Sequence, residues 1–108
     1  MSEALVEGGA DGELRLSGVL DYQTGPTLRR AGQDLIRKGK TRRVLIDCTA
    51  VEKSSSVGLS LLLAFTRDAM AAGREVLIVG MPEDMREIAR VSGLLDVLAL
   101  ADEARGAV

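Results

Sequence analysis

The most constraining feature of this sequence is the stretch 44–65. It passes from the unbroken apolar triplet Val44-Leu45-Ile46 through Asp47 and the small cluster Ser54-Ser55-Ser56 into the leucine-rich segment GLSLLLAF. A short apolar run without polar alternation reads as a strand buried on both faces, and such strands belong to parallel sheets covered by helices. The serine cluster before an apolar run reads as a helix start, with the helix running from about Ser56 to Ala72 and Gly73 as its stop. The pattern then repeats. Glu75-Val76-Leu77-Ile78-Val79 gives a second buried strand ended by Gly80, and Pro82-Glu83-Asp84 opens another helix with acids in its first turn. Strands alternating with helices in this way specify the α/β class.

The N-terminal part adds a hairpin. Residues 4–7 are a candidate strand, and Glu13-Leu14-Arg15-Leu16-Ser17 alternates with the period of a half-buried one, extended by Gly18-Val19-Leu20-Asp21. Asp11-Gly12 supplies the turn between them. Thr24 is placed to cap the first helix, with Pro26 in its opening turn. Leu28, Ala31, Leu35 and Ile36 form the inner stripe of that helix, and Gly39 ends it. In the last helix Met85, Ile88, Ala89 and Ser92 face inward and Gly93 closes. Leu94-Leu95 and Val97-Leu98 form either a last short strand or a turn, and residues 101–108 read as a frayed tail. The expectation is one domain with its core over residues 4–100: a small mixed β-sheet of four to five strands with helices packed on it.

Composition narrows the function. With 108 residues, 46% hydrophobic and 28% charged, the chain can bury a single core without disulfides or metals. It has no His, which removes His-based triads, His metal sites and imidazole switches. Its one Cys, Cys48, excludes an intrachain disulfide and fits a reducing, cytoplasmic setting. GxSxG and GxxxxGK[ST] are both absent, so neither a nucleophile elbow nor a P-loop is available. No catalytic residue, cofactor or metal site is expected. Asp21 and Asp47 each end a strand. A paired-carboxylate role would suit a hard cation or acid–base work, but strand-end capping is the simpler reading.

A net charge of −2, no Trp, one Tyr (Tyr22) and one Phe (Phe65) argue against nucleic acid as a partner. Charge is uneven: between positions 29 and 43, Arg29, Arg30, Arg37, Lys38, Lys40, Arg42 and Arg43 face Asp34 alone. This reads first as a solvated helix face leading into a strand. Glu3, Glu7 and Asp11 are the wrong charge for a signal peptide, and the longest apolar run, Leu61 to Phe65, is too short to span a bilayer. No direct membrane insertion is expected.

Ser56 stands where a helix N-cap belongs, its hydroxyl accepting from the N–H of Leu59. The same position suits a phosphate, which the helix dipole would favour. The helix that follows is apolar nearly all round over Val57, Leu59, Leu61, Leu62, Leu63, Ala64 and Phe65. One side must meet the sheet. The other meets either a partner protein or a second helix of the same chain. Leu61 and Phe65, at i and i+4, share the candidate face.

Three segments, LRLSGVLD (14–21), VLIDCTAVEKSSSVGLSLLL (44–63) and EVLIVGMPEDMREIARVSGLLDVL (75–98), resemble STAS domains, the fold of anti-sigma factor antagonists. The resemblance spans roughly the whole chain. STAS antagonists carry Asp-Ser-x-Gly-Leu at the central turn, and a partner kinase phosphorylates the Ser. Here the run is Ser55-Ser56-Val57-Gly58-Leu59, with Ser55 in place of the Asp and Val57 in place of a smaller residue. The GVLD segment, the GLSLLLAF helix and the PEDMREIA helix start are similar to the MlaB branch, non-enzymatic STAS subunits of the Mla phospholipid-transport ABC system of Gram-negative bacteria. That resemblance implies binding to the ATP-binding, MlaF-like subunit through Ser55, Ser56, Val57, Gly58, Leu61 and Phe65. The chain would then sit in the cytoplasm, peripheral to the inner membrane through its partner, in a system serving outer-membrane lipid asymmetry. The alternative implied by the wider family is an anti-sigma factor antagonist that binds a kinase and is switched by phosphorylation of Ser56.

Overall fold

The computed structural model describes residues 4–9, 12–95 and 97–98. Its elements are β1 (Leu5–Gly8), β2 (Glu13–Leu20), α1 (Gly25–Lys38), β3 (Arg43–Ser54), α2 (Ser56–Ala71), β4 (Glu75–Val79) and α3 (Glu83–Val91). The four strands form one mixed sheet in the order β1-β2-β3-β4. β1 is antiparallel to β2, and β2, β3 and β4 run parallel. This is the mixed α/β architecture expected from the strand and helix alternation. The Asp11 half of the expected hairpin turn and the tail 101–108 lie outside the described residues.

Both crossovers, β2-α1-β3 and β3-α2-β4, step the same way across the sheet. Right-handed connections therefore put α1 and α2 on the same face. α1 packs on α2, and α2 packs on α3. The core is the layer between: Leu14, Leu16 and Leu20 of β2, Val44, Ile46 and Cys48 of β3 and Ile78 of β4. These meet Leu28 and Ile36 of α1, Leu59, Leu62 and Phe65 of α2, and Met85 and Ala89 of α3. Each fully buried Val, Leu, Ile, Phe or Met among them contributes about 1.5–3 kcal/mol of transfer free energy.

The strands are not buried on both faces as the apolar triplets suggested. Val44 and Ile46 are buried, but Leu45, between them on the opposite face, is half-buried, as are Leu77 and Val79 in β4. The helices cover one face only, and Leu45, Leu77 and Val79 lie on the other.

β3 also continues past Asp47, where the sequence placed its end. Beyond that point it pairs with β2 alone, out to Ser54 opposite Leu20. Two register shifts explain why this half is hard to read. Arg15 and Ser17 pair with Asp47 and Ala50, and Gly18 and Val19 pair with Val51 and Lys53, so β3 carries an extra residue at each shift. The buried positions consequently fall at Cys48, Val51 and Ser54, three apart instead of two.

Thr24 does not cap α1 with its side chain. Its hydroxyl accepts from the Asp21 N–H (3.0 Å) and donates to the Val19 carbonyl (3.1 Å). Asp21 closes the turn ahead of the helix: its Oδ1 accepts from the backbone N–H of Gln23 (2.9 Å) and Thr24 (3.0 Å). Asp47 Oδ1 likewise accepts from the N–H and hydroxyl of Thr49. Both aspartates thus serve local turns. In α1 the buried positions are Gly25, Leu28, Gly32 and Ile36, while Ala31 and Leu35 are half-buried. Ser92 is exposed at the end of α3, and a turn follows in which Leu94 donates to Ala89 O and Leu98 to Leu94 O. Leu98 folds back into the core, 5% exposed.

Candidate protein-interaction site

The end of the sheet where β2 and β3 finish is closed by the turn into α2. The Ser55 N–H donates to the Leu20 carbonyl at 3.0 Å, which ties the end of β2 to the start of the helix. Ser54 is buried, and its hydroxyl donates to Ser55 O at 2.7 Å. Ser55, not Ser56, is the N-cap. Its Oγ accepts from the Val57 N–H at 3.1 Å, and its backbone is extended. The cap lies one residue earlier than the spacing suggested, at the residue whose N–H is already fixed to the end of β2.

Ser56 is therefore the first residue of α2, and it is exposed. Its carbonyl accepts weakly from the Ser60 hydroxyl at 3.4 Å, while its own hydroxyl has no hydrogen-bond partner among the described residues. Gly58, two residues further on, is buried. A Cβ there would overlap Ser54 Oγ and come within 3.0 Å of Met85 Cε and 3.2 Å of Leu20 Cδ1. Gly58 thus lets the first turn of α2 lie against the strand ends and α3. Its place is in packing rather than at the surface.

Val57 is half-buried and faces α1: a Cβ on Gly25 would stand 2.9 Å from Val57 Cγ1. Between the first turns of the two helices lies a shallow, mainly apolar groove of about 430 Å³, lined by Tyr22, Pro26, Val57, Leu61 and Ala64 with Ser60 and Arg29 alongside. Tyr22 is 77% exposed at its rim. Arg29 is held by Asp68, with NH1 to Oδ2 at 2.6 Å, and this ion pair joins α1 to α2 below the groove.

The expected face of Leu61 and Phe65 is turned inward. Leu61 is 4% exposed and only its edge reaches the groove, while Phe65 is fully buried against α1. Of the two possibilities for the second side of α2, the second helix of the same chain is the one realised there. The residues that sequence reasoning missed are Tyr22, Pro26 and Ser60. Tyr22 carried a signal, since it is the chain's only Tyr and sits in a polar turn where a buried role is hard to supply.

The family model described as "Mlab, STAS domain" matches residues 4–100. The chain belongs to the STAS-domain family. This STAS domain is similar to an anti-sigma factor antagonist from Mycobacterium paratuberculosis, with 29% identity, a TM-score of 0.74, and coverage of 98% of this chain and 92% of that one. It shares its fold with the phosphorylated form of the Bacillus cell fate determinant SpoIIAA (19% identity, TM-score 0.64, 96% and 97% coverage). It also shares it with the STAS domain of a SulP transporter from Vibrio cholerae (15% identity, TM-score 0.58, 80% and 68% coverage). As a member of this family it is a non-enzymatic protein–protein interaction module. Among the described residues no cluster of His, Cys, Asp or Glu could hold a metal ion, and no helix is long and apolar enough to cross a membrane.

Proposed function

We propose that this STAS domain acts as an anti-sigma factor antagonist: it captures an anti-sigma factor kinase through Ser56 and the groove beside it, and phosphorylation of Ser56 releases that partner. The observation that carries this reading is the division of labour between two serines. Ser55 spends its hydroxyl on the cap, and Ser56 presents a free, exposed hydroxyl at the first helical position. Phosphate can be added there without breaking the cap, and the helix dipole accommodates the charge. Against a docked apolar partner surface the same charge is unfavourable because it must be desolvated. The similarity to the M. paratuberculosis antagonist over 98% of the chain supports the same reading. The test is incubation with ATP and each kinase encoded near the gene. Stoichiometric phosphate on Ser56, with loss of the complex, is the expected outcome. Failure of every such kinase, together with full partner binding by Ser56→Glu, would overturn it.

A second reading rests on a different observation. Ser55 stands where STAS antagonists carry Asp, and the matching family model bears the Mlab description. In that reading the same end of the molecule docks the MlaF-like ATPase of an ABC phospholipid transporter and holds the chain peripherally at the inner membrane. The Ser56 hydroxyl would donate to a partner carbonyl, and its loss would strand that acceptor. A tagged pull-down from detergent-solubilised membranes separates the two. Recovery of an ABC ATPase with its permease selects the transporter subunit, and recovery of a soluble kinase selects the antagonist.

A further inference from the structure

At the opposite end of the sheet, where β2 and β3 begin, a cavity of about 260 Å³ opens between the C-terminus of α1 and Gly8, Gly9 and Gly12. Part of its wall is Arg74, only 7% exposed. Arg74 Nε donates to Thr41 O at 2.7 Å, NH1 to Ile36 O at 2.8 Å and NH2 to Thr41 Oγ1 at 2.5 Å. A guanidinium has five N–H groups. Two of them, one on each terminal nitrogen, have no acceptor among the described residues. Arg37 and Lys38 already supply cations to the last turn of α1. Burying a further cation with donors unspent costs desolvation free energy that an additional counter-ion would offset.

The surroundings suit one. Gly12 and Gly39 bring bare backbone to the cavity wall: a Cβ on Gly39 would overlap the Arg74 guanidinium, and one on Gly12 would overlap Thr41 Oγ1. Lys38 and Lys40 also line the cavity and are exposed. Lys38 pairs with Asp34 at 3.0 Å, an exposed contact that exchanges at little cost. Glu13, the one acid in the lining among the described residues, is engaged by Arg15 at 3.1 Å. The volume lies below the usual range for drug-sized ligands.

We propose that this cavity binds a small phosphate-bearing anion. The Arg74 fork holds the phosphate oxygens, and Lys38 and Lys40 close over it. The site is independent of the Ser56 end and of either reading of it.

The test is a nitrogen-15 NMR titration of the full chain with inorganic phosphate, against sodium chloride at matched ionic strength. Saturable, one-site shifts at the amides of Gly9, Gly12, Gly39 and Lys40 are expected. The double variant Lys38→Ala, Lys40→Ala should bind about tenfold more weakly or worse. Both residues are exposed, so folding is retained. Arg74→Lys, which keeps the charge and loses the fork, should weaken binding as well. Co-sedimentation with phosphatidic acid vesicles that free phosphate displaces identifies a lipid headgroup as the source. Saturable phosphate binding without co-sedimentation identifies a soluble phosphate compound. Shifts reproduced by chloride, shifts that survive the double variant or fall at the start of α2, or vesicle binding that phosphate does not displace would each overturn the site.

Discussion

Gly32 of α1 lies against the ring of Phe65 of α2, so closely that a Cβ at position 32 would overlap Cε1 and Cζ of the ring. Phe65 is fully buried and cannot yield without moving its neighbours in the core. In an unpacked helix, Gly→Ala gains about 1 kcal/mol from propensity. Here overpacking dominates, and Gly32→Ala is expected to lower stability by about 1–3 kcal/mol. Urea denaturation measures it. In a Phe65→Leu background the same substitution should become neutral or stabilising, which identifies the ring as the cause.

The two serines at the start of α2 separate in the same assay. Ser55→Ala removes the acceptor for the Val57 N–H and should cost about 1 kcal/mol. Ser56→Ala touches no side-chain hydrogen bond among the described residues and should stay within about 0.5 kcal/mol of the parent. If Ser56→Ala proved the more destabilising, the assignment of cap and free hydroxyl would be reversed.

Partner binding should depend on the groove rim rather than on the buried stripe of α2. Tyr22→Ala should weaken the complex about tenfold or more without shifting the melting temperature, because Tyr22 is largely exposed. Phe65→Asp places a carboxylate in the core and should unfold the chain, so its loss of binding carries no information about the interface. Surface plasmon resonance beside circular dichroism melts distinguishes the cases. A Tyr22→Ala variant with unchanged affinity would remove the groove from the interface.

Cys48 is shielded. Burial, with the Asp47 carboxylate beside it, pushes its thiol from 9.0 up to about 12. Native protein should resist maleimide at pH 8 and react only when unfolded. The unfolded chain loses this proton more readily than the native one. The contribution is therefore fully present below pH 9 and declines as pH rises toward 12, at up to about 1.4 kcal/mol per pH unit. Cys48→Ala should flatten the alkaline limb of the stability profile. An identical limb in the variant would assign it to other groups.

Much of the fold was legible because it is written in local rules. Alternation of Leu14 and Leu16 with polar neighbours marks β2, and the spacing of Met85 and Ala89 marks α3. Glycine sits at the stops Gly73 and Gly93 with positive φ, a conformation that costs other residues more. The serine turn drew attention because small hydroxyl residues precede an apolar helix; Ser55 and Ser56 are exposed at its start, and Val57 is half-buried. The second half of β3 was not legible. Its bulges exist only in pairing with β2, and they convert a two-residue period into a three-residue one.

The sequence by itself determined the order and kind of the elements, the family, and the neighbourhood in which function should be sought. Periodicity, turn chemistry and the spacing of Ser56, Gly58 and Leu59 are properties of the chain alone. The tertiary structure decided which serine caps and which is free, that Phe65 faces Gly32 instead of a partner, and that Arg74 is drawn inside beneath α1. Each of these depends on contact between segments distant in sequence. Close packing and hydrogen-bond satisfaction fix them only when the sheet and helices come together.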